Sequence, residues 1–189
     1  MTLSILQGCF DSTKNKEEKI LFSTPAKPQT RTLQQDSQNL PSTLVGLKRG
    51  ILKTNQGREL ETFIALTDQE QAQGLSGVRP EQFYDDQAMI FPDKKDNYRS
   101  FWMPDTYFEL DIYFLDEHLK VLAVERNVPF HPGKENLETV ARTRQYMCRH
   151  VLEIKSASQI AKSIQTGDQL TWVSSPNLEQ IISSTPQGQ

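Results

Sequence analysis

Glu109 and Asp111 stand two residues apart in the run Tyr107-Phe108-Glu109-Leu110-Asp111-Ile112-Tyr113. Side chains alternate across a β-strand, so both carboxylates should face one way with Cα atoms roughly 6.5 to 7 Å apart. Carboxylates separated by roughly 5 to 9.5 Å can do acid and base work on a glycosidic bond. Tyr107 and Tyr113, on the same face, could stack on sugar rings. The same four side chains equally describe the wet face of an antiparallel strand, and a fixed Asp111 can instead satisfy buried backbone amides. Cys148 and His150, also two apart, suggest a thiol activated by imidazole. Against that, a free Cys usually behaves as a small buried hydrophobe. Trp102 is either a ligand platform or a core aromatic, and its apolar neighbours Phe101 and Met103 favour the core. Asp105 beside it and His131 in the loop Pro129-Phe130-His131-Pro132-Gly133 complete the set of ligand contacts, His131 as a rim residue.

Those residues need a scaffold, and the sequence describes a β-rich one. From Thr106 the pattern is strictly two-fold. Thr106, Phe108, Leu110, Ile112 and Phe114 face one way, and Tyr107, Glu109, Asp111 and Tyr113 the other, which predicts a half-buried strand with its polar face reachable. Residues 47–53 and 59–66 read as two strands around the turn Asn55-Gln56-Gly57. Thr67-Asp68-Gln69-Glu70 is a capping box for a short helix over about 68–73, stopped by Gly74. Residues 88–91 and 99–103 are short strand candidates. Residues 119–125 return from the turn at Asp116-Glu117-His118 as a hairpin, 127–143 form a long polar loop, and 146–154 make a further strand. Ser156-Ala157-Ser158-Gln159 opens a second helix over about 157–164, and 169–173 close the sheet. The expected class is mainly β: a compact antiparallel β-sandwich or barrel with two short helices.

Composition bounds the rest. In 189 residues, 36% hydrophobic and 24% charged, there is room for one domain with tails to spare. Residues 10–45, rich in Ser, Thr, Gln, Lys and Pro, read as a disordered polar tether. Residues 46–173 form the single globular domain, and 174–189 a flexible polar tail. A net charge of −3 with scattered Lys and Arg offers no footprint for a nucleic-acid backbone. Two cysteines and three dispersed histidines show neither a disulfide framework nor metal-ligand spacing. Nucleotide-binding glycine motifs and the Gly-x-Ser-x-Gly elbow are missing too, so no metal or cofactor is expected. No apolar run approaches the roughly 20 residues that span a bilayer. Leu6-Gln7-Gly8-Cys9 is similar to the end of a bacterial lipoprotein signal, which would make residues 1–9 its remnant and Cys9 the lipidated residue. Gln7 is unusual there, and residues 1–8 are short and lack a Lys/Arg start. Either translation begins upstream, or Cys9 is an ordinary thiol.

Several pieces then fall into one order: Thr67 with Gly74-Leu75-Ser76-Gly77, Met89-Ile90-Phe91, Phe101-Trp102-Met103-x-x-Thr106, Leu110-Asp111-Ile112, Phe114-x-Asp116, Val151-Leu152-Glu153 and Gly167-Asp168. Over about 59–173 they resemble the bacterial and archaeal family called domain of unknown function 192. The resemblance implies a compact β-sandwich, often exported behind a signal or lipoprotein anchor, with no established activity. It favours the envelope reading of Cys9. The chain departs from the family pattern at Pro104-Asp105, where Lys-Asn is usual, and at Val78, where an Arg is common and Arg79 follows one place later. The expected protein is a non-catalytic, lipid-tethered envelope domain facing the periplasm or exterior. It would bind a small molecule, a glycan or an envelope protein, and meet the membrane only through its lipid. The alternatives are a carbohydrate-active enzyme using Asp111 and Glu109, a structural accessory of an envelope complex, and a cytoplasmic protein if Met1 is the true start.

Overall fold

The computed structural model describes residues 40–185. Cys9, the greater part of the predicted tether and residues 186–189 therefore lie outside the described residues. Nine strands and three short helices follow in the order β1 (Lys48–Lys53), β2 (Glu59–Ile64), α1 (Asp68–Gln73), β3 (Gln87–Phe91), β4 (Asn97–Arg99), β5 (Leu110–Leu115), β6 (Val121–Val128), β7 (Tyr146–Cys148), β8 (His150–Lys155), α2 (Gln159–Ser163), β9 (Thr171–Trp172) and α3 (Leu178–Ser183). Seven strands make one curled sheet in the order β6-β5-β8-β3-β2-β1-β9, and β4 pairs with β7 in a small second sheet. The fold is mainly β, as the strand pattern predicted.

The β1–β2 turn and the α1 cap are where the sequence placed them. Gly57 closes the β1–β2 hairpin at φ 79°, donating its N–H to the Thr54 carbonyl at 2.9 Å. In the α1 capping box the Thr67 hydroxyl accepts from the Glu70 amide at 3.2 Å, and the Glu70 carboxylate accepts from the Thr67 amide at 2.8 Å. The cap of α2 is displaced from the expected Ser156–Gln159 box: the helix opens at Gln159, the Ser158 hydroxyl accepts from Ile160 and Ala161, and Ser156 donates to Asp111 instead. The sheet is not wholly antiparallel: β2 and β3 run parallel, with α1 in the crossover between them. The edge strands are tied together at one end, where Val121 donates to the Asp168 carbonyl and Leu170 to the Leu119 carbonyl, beside a bridge from Lys120 to Gln169.

Both faces of the sheet are buried, and that overturns the reading of the alternating strand. One core, capped by α2 and α3, gathers Leu60, Ile64, Ile90, Tyr113, Leu115, Leu152 and Ile154; the other holds Phe63, Met89, Phe91, Met103, Ile112, Phe114 and Val151. β5 lies between β8 and β6 and is buried at all six positions. The two-fold period is real, but it distributes residues between two cores instead of between core and water. The strand also starts only at Leu110. Thr106 is bound instead to the Met103 carbonyl and to the His131 backbone, which holds the preceding residues out of the sheet.

Four further expectations need correction. The stretch 146–154 is two strands in different sheets, broken at Arg149. The candidate at 99–103 is realised only as β4, ending at Arg99. Residues 178–183, read as part of a flexible tail, form α3, with Leu178 and Ile181 buried in the first core. Its signal is an Asn177-x-x-Gln180 capping box in which the Asn177 side chain accepts from the Gln180 amide at 2.8 Å. The surrounding Ser and Pro residues masked that box. At the other end, Leu44 is fully buried in the second core, so folded structure begins before residue 46.

Candidate functional site

Asp111 is 2% exposed and its carboxylate is fully engaged. One oxygen accepts from the Asn127 amide at 2.9 Å and the Ser156 hydroxyl at 2.8 Å. The other accepts from Arg126 Nη1 at 2.6 Å. The same guanidinium donates to the Tyr113 hydroxyl at 2.8 Å, to the Ala161 carbonyl at 2.9 Å and to the Ile164 carbonyl. Tyr113 donates in turn to the Ala161 carbonyl at 2.7 Å. This network ties β5 and β6 to the end of α2, where the Ile164 amide also donates to the Ala161 carbonyl. Burial, the largest influence on Tyr113, pushes its phenol upward. Burial also pulls on Arg126, but the Asp111 hydrogen bond and the neighbouring negative charge outweigh it and raise the guanidinium. Glu109, by contrast, is exposed and precedes the strand. The arrangement suits a structural ion pair and offers no acid and base facing a common space. Arg126, the centre of the network, went unread because nothing in Glu125-Arg126-Asn127 distinguishes it from a surface charge.

The other sequence-derived candidates separate. Asp105 sits at φ 55° and accepts from the Tyr107 hydroxyl at 2.8 Å. Tyr107 lies under Arg79, whose guanidinium carbon is 3.7 Å from the ring centroid. The Arg one place late in the motif is thus paired with an aromatic face. His131 is joined through its backbone to Thr106, and its ring nitrogen Nε2 lies 2.7 Å from the Glu135 carbonyl. Cys148 and His150 do not share a strand face: Cys148 pairs with Asn97 in the small sheet and His150 with Leu115 in the large one. Burial pushes the Cys148 thiol up to about 11 and pulls His150 down to about 4. His150 Nδ1 accepts from the Asp93 amide at 3.3 Å. A buried, protonated thiol beside an imidazole committed elsewhere is not an activated nucleophile.

Trp102 does reach a candidate site, and it is not a core residue. Its side chain is 42% exposed, with the Arg142 guanidinium carbon 4.6 Å from the ring centroid. Together with Gln71, Phe91, Phe101, Met103 and Glu153 it lines a small cavity of about 60 Å³. Glu153 lies in β8 opposite Met89 on one side and Ile112 on the other, in the middle of the sheet. It is 5% exposed, and its carboxyl receives no hydrogen bond from any described residue. Desolvation pushes it up to about 8, and the charge of Arg99 only partly offsets this. Arg99 directs its terminal nitrogens elsewhere, to the Phe91 carbonyl at 2.7 Å and to Gln71 Oε1 at 3.3 Å. Gln71 Nε2 donates to the carbonyls of Ala65 and Pro92. The Gln71 amide on the wall is therefore committed to partners outside the cavity, and the Glu153 carboxyl faces the cavity. Sequence reasoning quoted Glu153 only as part of a resemblance. The signal available was a Glu inside the apolar run Val151-Leu152-Glu153-Ile154. Two broader clefts flank α1, of about 500 and 460 Å³.

The fold and cavity define a small mainly-β domain with an aromatic-walled pocket around a buried acid. The family described as "Uncharacterized ACR", domain of unknown function 192, matches residues 51–172, and the chain belongs to that family. Among solved structures the domain is similar to a candidate transcription regulator from Sinorhizobium meliloti 1021, at 22% identity and TM-score 0.55, covering 68% of this chain and 96% of that one. It is also similar to a protein of unknown function from Novosphingobium aromaticivorans DSM 12444, at 26% identity and TM-score 0.55, covering 70% and 91%. A comparison with curated proteins gives no match.

Proposed function

We propose that this protein is a non-catalytic binding domain of the cell envelope, tethered through Cys9, whose Glu153 cavity receives a small molecule, a glycan or a projecting group of an envelope partner. The observation that supports binding is the buried, unpartnered Glu153 carboxyl facing an aromatic-walled cavity. A polar group removed from water and left unpaired costs about 1 to 3 kcal/mol. A fold that keeps one at an accessible cavity has a use for it more readily than a structural need. The absence of catalysis is supported by the state of the candidate acids, bases and thiol: Asp111 and His150 are committed to structural partners, and Cys148 is buried and protonated. The likeness to a transcription regulator, at 22% identity, shows the fold alone.

The test of binding is a thermal-shift screen of the full chain against glycans and small metabolites, run beside Glu153→Leu. A ligand at one hundred times its Kd should stabilise the native protein by about 2.7 kcal/mol through linkage. The expected result is a saturable shift in the parent that the Leu variant loses. A shift of equal size in both would place the site elsewhere, and turnover of any hit would overturn the non-catalytic reading.

The tether rests on Cys9 in its Leu-Gln-Gly-Cys context, followed by a long polar segment. Expression of the gene with its upstream region should place the protein in the membrane fraction, and Cys9→Ser should release it. Equal solubility of the two forms would end that part of the proposal.

A further inference from the structure

Resting on the reading of the Glu153 cavity as a binding site, the geometry points to a specific ligand chemistry: we propose that the cavity receives an uncharged carboxamide group, paired edge to edge with the Glu153 carboxyl. A protonated carboxyl presents one donor and one acceptor side by side. A primary amide presents the complement, an N–H and a C=O, so the two close a pair of parallel hydrogen bonds. The space is the right order for a head group and nothing larger. About 60 Å³ is room for a group of a few heavy atoms, and the remainder of the ligand must lie outside, where Trp102 is exposed at the mouth.

Charge argues against the two ionic alternatives. An ammonium would need several acceptors and would sit in the field of Arg99, the one charged group among the described residues that bears on Glu153. An anion would find no Arg99 donor on the cavity wall, since that guanidinium is not among the lining residues and is directed to the Phe91 carbonyl and Gln71, and it would meet desolvation with little compensation. The wall hydroxyls offer an anion nothing either. Ser76 donates to the Pro104 carbonyl and Thr106 to the Met103 carbonyl.

The proton on Glu153 should then govern occupancy. The groups facing it are Met89 from β3, Ile112 from β5, Gln71 from α1, and Trp102 and Met103 from the loop before β5, none of which titrates. Arg99, next to β7 and itself flanked by Cys148 and Asp93, supplies the only charge among the described residues. With the Glu153 carboxyl titrating near 8, the protonated fraction falls about tenfold between pH 7 and pH 9. Affinity for an amide should fall with it.

Acetamide, acetate and methylammonium are the probes, each titrated into the full chain from pH 6 to pH 9 while the Met103 methyl and Trp102 indole NMR signals are followed. We expect acetamide to shift both signals saturably, with affinity about tenfold weaker at pH 9 than at pH 7. Glu153→Gln, which keeps a donor beside an acceptor, should retain binding and lose the pH dependence. Glu153→Leu should lose binding. Methylammonium binding that strengthens with pH and vanishes in Glu153→Gln would overturn the amide assignment while leaving the cavity a binding site. So would acetate binding alone. Absence of any saturable shift with all three probes would overturn both the assignment and the cavity reading.

Discussion

Replacing Asp111 by alanine is expected to destabilise the domain by roughly 3 to 5 kcal/mol, the range for breaking a buried ion pair from one side. The substitution removes the acceptor for the Asn127 amide, the Ser156 hydroxyl and Arg126 at one stroke. It also leaves the Arg126 guanidinium without a counter-charge while its carbonyl partners hold it in place at the end of α2. Arg126 is 30% exposed on its side chain, so some water can reach it, and this sets the lower end of the range. Urea unfolding monitored by Trp fluorescence gives the number. Amide exchange in α2 should accelerate more than in β1 and β2, because the network anchors that helix. Glu109→Ala, an exposed change, should fall within about 0.5 kcal/mol. A loss below about 1 kcal/mol for Asp111→Ala, or a stabilised variant, would show that the network is not what holds α2 to the sheet.

The contrast between those two carboxylates shows what the sequence could express. Period two along 106–114 correctly assigns Ile112 and Tyr113 to opposite faces, but alternation cannot say whether the second face meets water or another core. That depends on α2 and α3 closing over Tyr113 and Leu115, which are contacts between segments some fifty or more residues apart in the chain. Local chemistry was legible where the determinant was itself local: the Thr67–Glu70 box and Gly57 in its turn both rest on atoms within a few residues. The site was not, because its parts come from α1, the end of β4, the loop before β5 and the centre of β8. Glu153 is a single charged letter in an apolar strand. Only the register that sets it between Met89 and Ile112 shows that its neighbours across the sheet are apolar side chains. Trp102 erred the other way: three contiguous apolar residues suggested core, but the chain from 101 to 103 zigzags so that Met103 goes in while Trp102 turns out to meet Arg142.

Glu153→Gln should stabilise the protein by an amount that grows with pH. The folded-state value of Glu153 is about 8 against an ordinary 4.5, with desolvation as the main cause. Between those two limits the native state holds a proton that the unfolded chain has released, so stability falls as pH rises through the window. Below about pH 4.5 both states are protonated and the penalty is absent; above about pH 8 it is complete, on the order of a few kcal/mol. Gln has the same shape and no charge to desolvate, so the variant escapes the loss. His150 works in the opposite sense. Its folded value of about 4 lies below the ordinary 6.5, so the unfolded chain binds the extra proton and stability rises from about pH 4 to 6.5. In the parent the two trends oppose each other from about 4.5 to 6.5, and Glu153 acts without that opposition from 6.5 to 8. The parent should therefore be level in mildly acidic buffer and lose stability above neutrality. Glu153→Gln should gain stability up to about pH 6.5 and then hold it. Denaturant midpoints measured at half-unit steps from pH 4.5 to 9 distinguish the cases. Parallel curves for the two proteins across that range would mean that Glu153 is ionised in the folded state at neutral pH. The carboxyl would then have to be paired or hydrated, and the case for an unpartnered acid in the cavity would fail.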